Sequence, residues 1–93
     1  MKVQAILTVS GSAQSTDCLE DAHRQAARLG LTGLVRNLYD GNVRIIAEGE
    51  KDDVNVFIQS FITSDRLALV GDIAVWFTEP TDCYDSFSVA QDG

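Results

Sequence analysis

GLTGLVRNLYDGNVRIIAEG, residues 30–49, decides the fold of this 93-residue chain. Thr32 to Leu38 reads as one strand and Val43 to Glu48 as the next, with Asp40-Gly41 between them. Asp-Gly between two apolar runs is a strong hairpin signal, because both residues tolerate the positive φ that tight hairpin turns demand. Gly30 fits the position just past a helix end, where the backbone turns left-handed and a Cβ is costly. The stretch therefore implies a helix before it and a two-stranded ribbon within it.

The pattern extends in both directions. Upstream, Val3, Ala5, Leu7 and Val9 alternate with Lys2, Gln4, Ile6 and Thr8, the period of two of a first strand. Ser10 to Thr16 are small and polar and form a loop. Asp17 is placed to cap the helix that follows, with Glu20 three residues later. Cys18, Ala22, Ala26 and Leu29 then share one helical stripe, and Arg24 and Arg28 lie on a more polar face. Downstream, Asp52 or Asp53 caps a second helix with Val54, Phe57, Ile58 and Phe61 on its apolar face, ending at Ser64-Asp65. Asp72 to Thr78 alternates again, Pro80 ends that strand, and Asp85 to Ala90 adds a short fifth. The order β-α-β-β-α-β is the split βαβ arrangement. The expected fold is an α+β, ferredoxin-like sandwich: a four- to five-stranded antiparallel sheet with two helices on one face, in a single domain over residues 1–93. No repeat or low-complexity tract interrupts it.

Composition narrows the partners. A net charge of -7 disfavours nucleic acid and anionic membranes, both of which call for a basic surface. The same field repels an anionic substrate at long range, so an anion site here must be built locally. No apolar run approaches the roughly 20 residues of a membrane span. Met1-Lys2 leads straight into strand pattern without a signal-peptide profile, so a cytoplasmic location is expected. Cys18, Cys83 and His23 are scattered, without ligand spacing, so neither a metal nor a cofactor is expected.

Beyond pattern, the wording of the sequence resembles the acylphosphatase family. GLTGLVRNLYDG and VRIIAEGEKDDVNVFIQSF, residues 43–61, match that family nearly position for position. Arg24, Gln25, Ala26, Arg28, Leu29 and Gly30 look like the end of its first helix, and VWFTEPTDCYDSFSV, residues 75–89, like its closing strands. The resemblance implies a phosphate-cradling loop after the first strand, reading glycine-x-valine-x-glycine-valine-x-phenylalanine-arginine. It also implies a catalytic arginine at the first helix start, and an asparagine on the second strand that positions the attacking water. Neither metal nor covalent intermediate is implied. A guanidinium fork suits phosphoryl oxygens by paired hydrogen bonds, and a neutral amide both donates to and accepts from water.

Carried over by residue, the loop falls on Gly11, Ser12, Ala13, Gln14, Ser15, Thr16, Asp17 and Cys18. Gly11 and Gln14 agree with the family. Ser12, Ala13, Ser15, Thr16 and Asp17 replace its basic, valine and glycine positions, and Cys18 its phenylalanine. The asparagine position falls on Asn37, which agrees; the arginine position falls on Leu19, which cannot bind a phosphoryl group. Losing one neutral oxyanion donor costs about 2.7–4 kcal/mol, or 10²–10³ in rate, and a charged clamp at least that. Asp17 adds repulsion toward an anion, and as an N-cap would occupy the amides that a phosphate uses. Arg24 lies more than a turn beyond Leu19, and strand alternation turns Arg36 to the face opposite Asn37.

Three functions follow as expectations. The first is an impaired or inactive family member that serves as a binding or interaction module. The second is an acylphosphatase, cleaving a carboxyl-phosphate anhydride to carboxylate and phosphate, with phosphate or acyl phosphate as ligand and Asn37 as catalytic residue. The third is self-association through the uncovered sheet face, where Gln4, Ile6, Thr8, Ile46 and Trp76 are expected together; otherwise the chain is a monomer. Asn37 has a structural reading too, as a turn residue before Leu38-Tyr39-Asp40-Gly41. His23 reads as a half-exposed helix residue and Cys18 as a buried thiol.

Overall fold

The structure is a computed structural model. It describes residues 1–11, 16–38, 42–62 and 70–90, with their side chains except at 10, 11, 16–18, 61, 62 and 70–72. The elements are β1 (Lys2–Gly11), α1 (Thr16–Arg28), β2 (Thr32–Asn37), β3 (Val43–Glu50), α2 (Lys51–Ile62), β4 (Val70–Thr78) and β5 (Phe87–Ala90). The strands form one sheet in the order β4-β1-β3-β2-β5.

The α+β, ferredoxin-like expectation holds, with one difference. The first four strands pair antiparallel, but β5 runs parallel to β2, from Gly33↔Phe87 to Arg36↔Ala90, so the sheet is mixed. The path of the chain explains this. β4 lies at one edge and ends level with the start of β2, so a connection that crosses to the far edge must enter beside β2 in the same direction.

Side-chain parity divides the sheet into two faces. Ala5, Leu7 and Val9 of β1, Val35 of β2 and Val43, Ile45 and Ala47 of β3 are buried beneath the helices. There they meet Leu19, Ala22 and Ala26 of α1 and Val54, Phe57 and Ile58 of α2. Ala22 and Ala26 of the expected α1 stripe and Val54, Phe57 and Ile58 of the α2 stripe are among these residues, Leu29 is partly buried against them, and Leu19 joins them; the side chains of Cys18 and Phe61 lie outside the described set. Phe57 is the largest fully buried side chain, and its ring lies 6.4 Å from Phe87 of β5.

The helix starts differ from the sequence reading. Helix α1 includes Thr16, so Asp17 falls within its first turn rather than before it. Helix α2 begins at Lys51, directly after β3, with the Lys51 N–H bonded to the Met1 carbonyl at 2.9 Å. Asp52 and Asp53 thus sit in the first turn, where their charge complements the helix dipole instead of capping it. The expected stop at Ser64-Asp65 lies outside the described residues.

At the other end of α1 the sequence signal holds. Gly30 has φ +72, its N–H bonds the Ala27 carbonyl at 3.1 Å, and the Leu31 N–H bonds the Ala26 carbonyl at 3.0 Å. This pair of bonds is a Schellman motif, which satisfies two carbonyls the helix would otherwise leave open.

The second face carries no helix among the described residues. Trp76, Ile6, Ile46 and Leu34 form one row across it by register. Arg44 and Arg36 stand opposite each other in the next row. On the other side of the apolar row, Gln4 donates to Glu48 at 2.8 Å. Glu48 in turn accepts from the backbone N–H of Thr81 at 3.0 Å and of Asp82 at 2.7 Å. That carboxylate fastens the β4–β5 connection to the sheet.

Candidate active site

Three elements that carry expected site positions meet at the end of the sheet opposite Glu48. β1 reaches that end at Gly11, α1 starts there at Thr16, and β2 finishes there at Asn37. Asn37 pairs with Val43 of β3, and Val43 with Val9 of β1, so the three lie in one row across adjacent strands. With strands about 4.8 Å apart, Asn37 stands roughly 10 Å from the end of β1. It shares the parity of buried Val35, which puts it on the helix side, the side from which α1 presents its N-terminus.

Asn37 has an unusual environment for a turn residue. Its Oδ1, like the Thr8 hydroxyl oxygen, is buried and has no hydrogen-bond partner among the described residues. Native proteins rarely leave a buried acceptor unmatched, since desolvation without a partner costs about 1–3 kcal/mol. Beside it, the Leu38 N–H bonds the Asn42 carbonyl at 2.7 Å.

The remaining family positions divide. Gly11 ends β1, as a loop start requires. Residues 12–15, which carry Ser12, Ala13, Gln14 and Ser15, lie outside the described residues. Thr16, Asp17 and Cys18 form the opening of α1, and nothing is described of their side chains. Leu19 is 6% exposed and packs in the core cluster with Ala22 and Val9. The side chain where the sequence resemblance placed the arginine position is therefore part of the core.

Two arginines weighed from the sequence, Arg24 and Arg36, are placed elsewhere. The Arg24 side chain is 71% exposed and lies 3.8 Å from Asp21, one turn back on α1. Arg36 lies on the opposite face of the sheet, across from Arg44, as strand alternation requires. His23 is half-buried, with its ring 6.0 Å from Phe87, a packing role rather than a catalytic one. Among the described residues, no cluster of three or more His, Cys, Asp or Glu is placed to hold a metal. No helix there is long and apolar enough to cross a membrane.

Glu48 is the polar feature that sequence reasoning did not single out. It is 3% exposed. Burial pushes its carboxyl up, but the N–H groups of Thr81 and Asp82, the Gln4 amide and the Thr81 hydroxyl outweigh that and hold it below the ordinary 4.5. Its place in an alternating strand gave no hint, because its main donors come from residues more than thirty positions away.

Comparison with known proteins agrees with this fold. The acylphosphatase family model matches residues 5–89. An acylphosphatase of Caldanaerobacter subterraneus subsp. tengcongensis is 30% identical over 89 residues, covering 96% of this chain and 99% of that protein. The crystal structure of acylphosphatase from Bacillus subtilis superposes with a TM-score of 0.85 at 26% identity, covering 95% of this chain and 98% of that one. An acylphosphatase structure from Coxiella burnetii gives 0.83 at 29% identity, covering 96% and 93%. The chain belongs to the acylphosphatase family.

Proposed function

We propose that this chain is an acylphosphatase of low turnover, hydrolysing a carboxyl-phosphate anhydride to a carboxylate and inorganic phosphate. The observation that carries the reading is the buried, unpartnered Oδ1 of Asn37 at the α1 end of β2. In this scheme Asn37 accepts a hydrogen bond from the attacking water and orients its oxygen toward phosphorus. The phosphorus–oxygen bond to the acyl group breaks, its electron pair stays on the departing carboxylate, and the water supplies the new P–O bond. The first-turn amides of α1, a helix of 13 residues, draw the phosphoryl oxygens through their open N–H groups. Names and structures of the relatives support the same reaction class.

Low turnover follows from Leu19. Without a guanidinium on the transferring phosphoryl group, the rate should fall at least 10²–10³ below that of an arginine-bearing site. A second reading is favoured by the burial of Leu19 in the core: ligand binding without turnover, as an interaction module.

One experiment separates the two. Benzoyl phosphate hydrolysis is measured for the wild type, Asn37→Ala and the double variant Leu19→Arg, Asp17→Gly. Wild-type turnover that is abolished by Asn37→Ala supports the slow enzyme. A wild type at background whose double variant gains turnover supports the module, on a scaffold that kept its geometry. Equal rates in wild type and Asn37→Ala would overturn the role given to Asn37.

A further inference from the structure

We propose that β4 is a self-association edge, along which two copies of this chain join antiparallel in a two-fold dimer centred on Val75. This inference is independent of the reaction, because β1 and β3 stand between β4 and the strand that carries Asn37.

The sheet ends at β4. Its only strand neighbour among the described residues is β1, so its outer N–H and C=O groups face away from the sheet without a ladder. Proteins commonly guard such an edge with lysine, proline, a bulge or a very short strand. The opposite edge follows that rule, since β5 has four residues. β4 has nine. Its register with β1 is irregular only near Gly11↔Val70, and from Ile73 to Thr78 it is continuous. That run, IAVWFT, contains no charge, proline or glycine.

The same run bears two exposed aromatics. Trp76 is 51% and Phe77 52% exposed, and as neighbours in a strand they point to opposite faces. Trp76 stands beside Ile6 on the face without helices, and Phe77 beside Ala5 on the helix side. A strand added at this edge would cover both at once. An occupant of the open face alone would cover only Trp76.

The run is self-complementary, which identifies the occupant as a second copy. Antiparallel pairing about Val75 sets Trp76 opposite Ala74 of the second copy, and Phe77 opposite Ile73 of the second copy. Large residues then meet smaller ones on each face. The two Trp76 rings become diagonal neighbours, within reach across a strand pair. Charge selects this register. Centring the two-fold axis between Val75 and Trp76 would set Glu79 opposite Asp72 of the second copy, a like-charge pair that destabilises. Centring on Trp76 would set Glu79 opposite Ile73 of the second copy, a carboxylate against an apolar side chain. The geometry is isologous and closes on itself, so it yields a dimer rather than a fibre. Each chain carries -7, so added salt strengthens the dimer by screening that repulsion.

Trp76 is the sole tryptophan, so its fluorescence reports this edge alone. The test is sedimentation velocity of the full chain from about 1 μM to 1 mM, with emission spectra at each concentration. The expected result is a doubling of mass, a parallel blue shift of Trp76, and a lower midpoint concentration in higher salt. Ala74→Asp, at an exposed position, places a carboxylate opposite Trp76 of the second copy and adds to the repulsion between the chains. It should remain monomeric across the range with an unchanged circular dichroism spectrum. Trp76→Thr, which keeps strand propensity, should lose the dimer as well and is read by mass alone. A wild type that stays monomeric throughout overturns the proposal. So does a doubling of mass without a Trp76 shift, or a dimer that both variants leave intact.

Discussion

Glu48 holds Asp82 in a left-handed conformation: its Oε1 accepts the Asp82 N–H at 2.7 Å, and Asp82 has φ 55. A non-glycine residue there carries about 1–2 kcal/mol of steric cost, which the bond to a buried carboxylate offsets. Asp82 also meets Lys2 at 3.4 Å, but both side chains are exposed and such a pair contributes little. Asp82→Gly should therefore match the wild type within about 0.5 kcal/mol in urea denaturation. Asp82→Val should lose about 1–2 kcal/mol, because a β-branched residue resists positive φ without any local hydrogen bond to help. Valine equal to glycine at this site would show that the connection relaxes its backbone freely.

The acid limb of stability should depend on the same carboxylate. Its pKa is lowered in the folded chain, so its contribution is fully present above the ordinary 4.5 and is lost as pH falls through the folded value. Turning one carboxylate oxygen into an amide NH2 sets a donor against either the Asp82 N–H or the Thr81 N–H and Gln4 amide, which the two oxygens now accept from. Glu48→Gln should cost about 2–3 kcal/mol at neutral pH. Urea midpoints taken from pH 7 to pH 3 should show the gap between wild type and variant narrowing below 4.5. A gap of constant size across that range would mean that the ionised form holds no advantage there.

Gly33 and Gly30 should respond to alanine unequally. Gly33 has φ +136, and a Cβ at this position would overlap the Ile46 carbonyl oxygen of the neighbouring strand. That atom is backbone in the middle of the sheet and has no room to move. Gly33→Ala should cost about 3–5 kcal/mol from strain and overpacking together. Gly30 has φ +72, but a methyl group there would meet nothing within 4 Å, so Gly30→Ala should cost only about 1 kcal/mol. Paired thermal and urea melts of the two variants check the ranking.

These glycines also mark what was legible in the sequence. Strand periodicity, the helix stripes and the glycine after α1 are local signals, and each placed its element within a few residues. Helix starts were less legible: Asp17 and Asp52 have the chemistry of caps, yet stand one residue inside their helices, where the dipole favours the same charge. The direction of β5 was not legible, because it depends on where β4 ends relative to β2 and not on the composition of Phe87 to Ala90. The staple at Glu48 was hidden for the same reason. For the candidate site, the motif placed Asn37 at the end of β2, while the burial of Leu19 depends on the core that α1 shares with the sheet and not on its neighbours in sequence.

Asn37 should separate stability from activity. Its Oδ1 is buried without a partner, so Asn37→Ala removes an unmet acceptor along with a small side chain. The folded state should lose nothing measurable and gain up to about 1 kcal/mol. Benzoyl phosphate turnover should fall about 10²–10³, since the water loses its anchor while the amides of α1 remain. The comparison is sharpest in the Leu19→Arg, Asp17→Gly background, where turnover is expected to be high enough to follow the loss over its full range. Residues that build a turn behave in the opposite way, losing stability when truncated and leaving chemistry alone. A variant that melts earlier yet hydrolyses at the wild-type rate would assign Asn37 to the turn before Asn42 and remove it from the reaction.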